Sequence, residues 1–117
     1  MIKACANAKK AVEKALETAK TSTEVADAHR KQVIADGHEK HLVYGPCHSI
    51  GLVECENPWI ESGNDYELKP GMTFCEDIFL SDSELHRGVR YEDMIMITEN
   101  GFERITDMCN EIIIIPV

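Results

Sequence analysis

Three short stretches of this chain gather the side chains that could do chemistry. Gly45-Pro46-Cys47-His48-Ser49-Ile50-Gly51 sets a single histidine in a small-residue loop. Gly71-Met72-Thr73-Phe74-Cys75-Glu76-Asp77 is an extended run that ends in two carboxylates. Gly88-Val89-Arg90-Tyr91-Glu92-Asp93-Met94 is a second such run, broken by a carboxylate pair before it resumes as Ile95, Met96 and Ile97. A carboxylate at an inward-facing strand position is costly unless it is paired or bound to a metal. One His and two Glu from neighbouring strands, His48, Glu76 and Glu92, make a donor set for a hard-to-borderline divalent cation. Solvated strand faces carry the same residue types without an ion, so spacing alone leaves both readings open. Cys47 and His48 do not read as a nucleophile pair, because adjacent residues on an extended chain point apart. His29, His38, His41 and His86 are scattered and read as surface residues, and Trp59, after Pro58, reads as a core anchor or the wall of a substrate pocket.

The elements that must position these groups follow from periodicity. Ala4, Ala8, Val12, Ala15, Leu16 and Ala19 recur at helical spacing, with Lys and Glu on the opposite side. Thr21-x-x-Glu24 is a capping box that opens a second helix, whose face is Val25, Ala28, Gln32 and Val33 and whose stop is Gly37. Residues 1–37 are thus a helix pair. From residue 41 the signals change to strands: His41–Tyr44, Ile50–Cys55, Met72–Leu80, Tyr91–Thr98, Phe102–Thr106 and Ile112–Val117. Asn100-Gly101 between apolar runs marks a hairpin. The expected fold class is α+β, two helices packed on a mainly antiparallel sheet.

Composition narrows the function. The 117 residues carry 12 Lys+Arg against 21 Asp+Glu, a formal net charge of −9. The charge is uneven: residues 1–44 sum to +2 (eight basic, six acidic) and residues 45–117 to −11 (four basic, fifteen acidic). Clustered Lys and Arg, which a nucleic-acid or acidic-membrane partner needs, are missing. The longest apolar run, Ile112–Val117, is far below the roughly 20 residues of a membrane span. No secretory signal is visible, so a cytoplasmic location is expected. Five cysteines, an odd number with no CxxC spacing, read as reduced thiols rather than a disulfide or zinc framework. The isoleucine-rich tail needs more cover than two short helices offer, which points to a homo-oligomer or a larger assembly.

The wording and order of the motifs add a resemblance. His48-Ser49-Ile50-Gly51-Leu52, Cys55-Glu56-Asn57-Pro58, Pro70-Gly71-Met72-Thr73-Phe74-Cys75-Glu76, Gly88-Val89-Arg90-Tyr91-Glu92-Asp93 and Ile97-Thr98-Glu99-Asn100-Gly101 follow one another along the chain. The series resembles the C-terminal half of the creatinase/aminopeptidase, or pita-bread, superfamily of Xaa-Pro dipeptidases and aminopeptidases. The patterns there are G-H-G-I-G-L, H-E-x-P, P-G-M-x-F-x-x-E-P, G-V-R-x-E-D and V-T-x-x-G. The resemblance implies that residues 1–117 are a partial pita-bread metallopeptidase-like domain, with the helix pair at 1–37 and the sheet with its metal-site motifs at 41–117. It implies a hydrolase of peptides or small amides that uses a divalent metal, in one or two ions of Mn, Co, Zn or Fe. His48, Glu76 and Glu92 are the implied ligands. Glu76 doubles as general base, and Arg90 orients a ligand or holds a substrate carboxylate. Three departures stand beside it. The two upstream Asp ligands have no match, so a missing N-terminal half or a partner copy must supply them and the chain alone is inactive or binds no metal. Cys55 replaces the His of H-E-x-P at a catalytic position, where a thiol is a poor donor. Ser49 and Asp77 replace a Gly and a Pro. A metal-free superfamily member serving recognition or assembly is the alternative.

Overall fold

The computed structural model describes residues 1–106 and residue 115; the expected strand Ile112–Val117 lies outside the described residues. Helix α1, Ile2–Leu16, buries the stripe Ala4, Cys5, Ala8, Val12 and Leu16, spaced as the sequence periodicity requires. Helix α2, Ser22–Ala35, starts where the capping box places it: the Glu24 carboxylate accepts from the backbone N–H of Lys20 at 2.6 Å and of Thr21 at 3.1 Å. It ends at Ala35, and two residues on the chain turns away at Gly37, whose φ of +74° is open to glycine at little cost. The buried stripe of α2 is Val25, Ala26, His29 and Val33, while Ala28 and Gln32 sit half-buried at its edge. His29 is therefore not a surface residue. It is 3% exposed and interrupts an apolar stripe, and burial pushes its imidazole down to about 4.

Among the described residues, five strands form one open antiparallel sheet in the order β2-β1-β3-β4-β5. They are β1 Cys47–Ser49, β2 Glu56–Ile60, β3 Thr73–Asp82, β4 Arg87–Thr98 and β5 Gly101–Arg104. Two expected strands are corrected. Residues 39–41 form a single tight helical turn, and 42–44 contribute only the isolated Leu42–Leu80 bridge, so His41–Tyr44 is a connection that buries His41 rather than a strand. Ile50–Cys55 is an exposed loop: after Ile50 pairs with Thr73 the chain leaves the sheet, and Leu52 is fully solvent-exposed. Its apolar residues imitate a strand pattern without having a layer among the described residues to cover them. The Asn-Gly hairpin forms, with Thr98 opposite Gly101. Gly101 has φ +123° and lies against the backbone of Glu17, where a Cβ would come within 3.3 Å.

Both helices cover one face of the sheet, α1 over β3 and β4 and α2 toward β2. That layer holds the core, with Val12, Leu16, Val25 and Val33 facing Phe74, Ile78, Leu80 and Ile95. Each such side chain contributes about 1.5–3 kcal/mol on burial. Because strand side chains alternate, the core fixes the other face too. With Phe74, Ile78 and Leu80 on the helix side, Cys75, Asp77 and Phe79 must point to the side without helices.

Candidate functional site

The face away from the helices carries a cluster of polar side chains at its centre. The register sets it: His48 on β1 lies opposite Cys75 on β3, and Asp77 on β3 lies opposite Glu92 on β4. His48 is 2% exposed, Cys75 5% and Asp77 2%, so these groups sit in the sheet's floor while Glu92 reaches toward solvent. A ring nitrogen of His48, the Cys75 sulfur and a Glu92 carboxylate oxygen all lie within 4.8 Å of one another. The Nδ1 of His48 is 3.2 Å from the Ser49 carbonyl; donating there leaves Nε2 as the free nitrogen, 3.8 Å from Glu92 Oε1. Burial, the Glu92 charge and the bond its S–H makes to Glu92 push the Cys75 thiol up to about 12.

The flanking groups hold the carboxylates in place. Arg90 donates from Nε and Nη2 to the two Asp77 oxygens at 2.8 and 2.7 Å, and its Nη2 is also 3.2 Å from Glu92 Oε2. Tyr44 donates its hydroxyl to Asp77 Oδ2 at 2.5 Å. That fork-to-carboxylate geometry is the strong form of the pair. Trp59, opposite His48 on β2, packs its ring 5.5 Å from the imidazole and edge-on to Tyr44 at 6.0 Å, and Phe79 lies 5.8 Å from Tyr44. An aromatic wall thus borders the cluster on one side. Cys55 is exposed at the end of the 50–55 loop, where desolvation and the charges of Glu54, Asp77 and Glu92 raise its thiol. Glu54 on the same loop is 3.8 Å from His48 Nε2.

Glu76 is not part of this cluster, which corrects the sequence reading. It points the other way, fully buried beneath α1 and 3.7 Å from Lys9 Nζ. The cause is the pleat: Cys75 and Asp77 take one face, so Glu76 must take the other. Counted strictly, P-G-M-x-F-x-x-E-P laid on Pro70-Gly71-Met72-Thr73-Phe74 puts its glutamate at Asp77 and its last proline at Ile78, so count and pleat agree. Beneath α1, Glu76 joins a charged knot. Lys9 Nζ is 2.5 Å from Glu13, 3.4 Å from Asp93 and 4.7 Å from the centre of the Tyr91 ring. Arg104 pairs with Glu13 and lies 3.2 Å from Asp93. Burial, only partly offset by Lys9, pushes the Glu76 carboxyl up to about 8. Cys47 shares that inner face, opposite Glu76 in the ladder, while its neighbour His48 is on the other, so the two do not form a catalytic pair.

The donors on the helix-free face suit a divalent ion. Their chemistry is nitrogen, oxygen and sulfur, they converge from three strands, and Glu92 has one oxygen on Arg90 and the other directed to His48. Asp77, Cys75 and Tyr44 are the residues that sequence reasoning passed over. The alternation Cys75, Asp77, Phe79 set against His48 was the signal that could have found the first two.

Known proteins share this fold. The family model for Peptidase_M24, described as Metallopeptidase family M24, matches residues 1–99. A probable dipeptidase PepE of Mycobacterium tuberculosis is 34% identical over 99 residues, covering 82% of this chain and 26% of that protein. An Xaa-Pro dipeptidase of Lactobacillus delbrueckii subsp. lactis is 31% identical over 99 residues, covering 83% and 26%. The crystal structure of dipeptidase PepE from Mycobacterium ulcerans superposes with a TM-score of 0.89 at 29% identity, over 99% of this chain and 31% of the other. The chain spans about a quarter of the length of these curated relatives.

Proposed function

Since the chain belongs to metallopeptidase family M24, we propose that its helix-free face is the metal-holding part of a peptidase acting on Xaa-Pro dipeptides or similar small peptides. The observation that carries the reading is the convergence of His48 and Glu92 on that face, with Asp77 directly across from Glu92. His48, Glu92 and Asp77 would hold the divalent ion. When bound, such an ion supplies Lewis acidity toward an amide carbonyl and lowers the pKa of a bound water. The residues of this chain do the rest. Arg90 fixes the orientation of both Asp77 and Glu92, and Tyr44 locks Asp77 from the other side. The proton handling expected of Glu76 passes to the carboxylates on the site's own face. Trp59, Tyr44 and Phe79 offer an apolar surface for a proline ring or a side chain. Cys55, at the rim, stands where the resemblance has a His.

The remaining donors come from polypeptide beyond these residues or from another copy, because none of the Asp residues before His48 lies on the site's face. The activity is then a property of that larger unit. The test is metal content by elemental mass spectrometry after purification without added metal or chelator, together with hydrolysis of Xaa-Pro dipeptides by that unit. Bound metal that is lost in His48→Ala and Glu92→Gln supports the proposal. No metal and no turnover in any assembly overturns it. A second reading, a metal-free recognition module, is favoured by the Arg90 fork, which already neutralises Asp77. Under that reading the metal count is zero while partner binding persists in Glu92→Gln.

A further inference from the structure

The sulfur of Cys75 occupies a place in the site that neither the family description nor the motif resemblance assigns to it. It sits opposite His48 across the β1–β3 ladder and is nearly excluded from solvent. Its Sγ, a His48 ring nitrogen and a Glu92 oxygen lie within 4.8 Å of one another. Donors bound at about 2.0–2.3 Å to a tetrahedral ion lie roughly 3.3–3.8 Å apart, so small side-chain movements would close the set. Glu92 has the spare oxygen: Oε2 meets Arg90 at 3.2 Å, while Oε1 faces His48 at 3.8 Å. Among the described residues, the other thiol near this face, Cys55, is on the exposed loop and outside the cluster.

We infer that Cys75 is itself a metal ligand alongside His48 and Glu92, giving a nitrogen–oxygen–sulfur site that selects zinc- or cobalt-type ions over manganese. The inference rests on the metal-site reading above and deepens it. On binding, the S–H bond breaks, the proton leaves to solvent and a sulfur–metal bond forms, with no change of oxidation state. Thiolate favours borderline and soft ions, whereas manganese is suited by an all-oxygen set.

The test is a titration of the reduced full chain with Co²⁺, followed by absorption. Binding should bring a thiolate-to-cobalt charge-transfer band together with the d–d bands. Cys75→Ser should remove that band and weaken cobalt binding by more than about tenfold, the lower end of what losing even a supporting partner costs, while Cys55→Ser keeps both. An equal concentration of Zn²⁺ should displace the cobalt and Mn²⁺ should not. X-ray absorption of the zinc-loaded wild-type chain should show one sulfur at about 2.3 Å, a readout that does not depend on any variant folding. Cobalt bound without the band, a band that survives Cys75→Ser, or a purely nitrogen and oxygen shell refutes Cys75 as ligand and leaves the metal site standing. No cobalt bound at all refutes Cys75, His48 and Glu92 as a metal-holding set of this chain, and the reading of a site completed by a larger unit is then decided by the metal content of that unit.

Discussion

Replacing Glu76 by Gln separates the two faces of the sheet more sharply than any other single change. The carboxyl is completely buried and, among the described residues, has no hydrogen-bond partner for either oxygen and has its nearest cation, Lys9, at 3.7 Å. Its pKa is raised from 4.5 to about 8, first by burial. The sign follows from linkage. An acid whose folded pKa is raised contributes its full stability below the unfolded value, near pH 4.5, and loses it as pH rises through about 8. At 1.36 kcal/mol per unit, the ionising unfolded chain gains on the folded one by about 3 kcal/mol at pH 7 and about 5 kcal/mol above pH 8. Gln keeps the shape and cannot ionise. Glu76→Gln should therefore match the wild type near pH 4, exceed it by about 3 kcal/mol at pH 7 and by about 5 kcal/mol at pH 9. Urea unfolding at the three pH values measures the difference, and metal content measured in parallel should not change. A variant less stable than wild type at all three pH values, or one that loses metal, would show that Glu76 serves the site after all.

Other expectations follow from the same packing. His29 is the mirror case: burial lowers its pKa to about 4, so its stability is present above 6.5 and is lost as pH falls through about 4. By pH 4 the loss is about 3 kcal/mol; His29→Leu should flatten that acid limb in urea titrations, and an unchanged limb would rule the group out as its cause. Gly101→Ala places a side chain at φ +123° and 3.3 Å from the Glu17 backbone. It should cost about 1–3 kcal/mol of thermal stability, and a neutral result would mean that the β4–β5 turn relaxes freely.

What the sequence made legible was whatever depends on short-range period and on end signals. The stripe Ala4, Ala8, Val12, Leu16 and the Thr21–Glu24 cap placed both helices, because each is decided within four residues. The two long strands and the Asn100-Gly101 hairpin were readable for the same reason. The errors arose where a longer-range partner decides. Ile50, Leu52 and Val53 have strand composition, yet among the described residues no layer lies over them, so the segment is a loop. His29 and His41 are polar letters in segments whose burial is set by the sheet beneath them. At the candidate site, the structure brings His48, Glu92 and Arg90 to one face of the sheet. Glu76 was named instead of Asp77 because adjacent carboxylates look alike in a string and differ completely in a pleat.

That one-residue difference governs how the two charged clusters relate. Phe74, Ile78 and Leu80 must bury under the helices, and their alternation carries Glu76 inward as surely as it carries Cys75 and Asp77 outward. Asp93 and Glu92 on the adjacent strand divide in the same way: Asp93 goes to Lys9 and Arg104, and Glu92 to His48 and Arg90. Each face thus receives carboxylates from both β3 and β4 and meets them differently. On the inner face, cations from α1 and β5 oppose them, away from solvent. On the outer face Arg90 clamps Asp77 but only one oxygen of Glu92, leaving the other turned toward an imidazole and a thiol. A one-residue slip of β3 would exchange the two sets, putting Glu76 in the site and Phe74 in water. The apolar core that forbids the slip is therefore also what selects the residues available for chemistry.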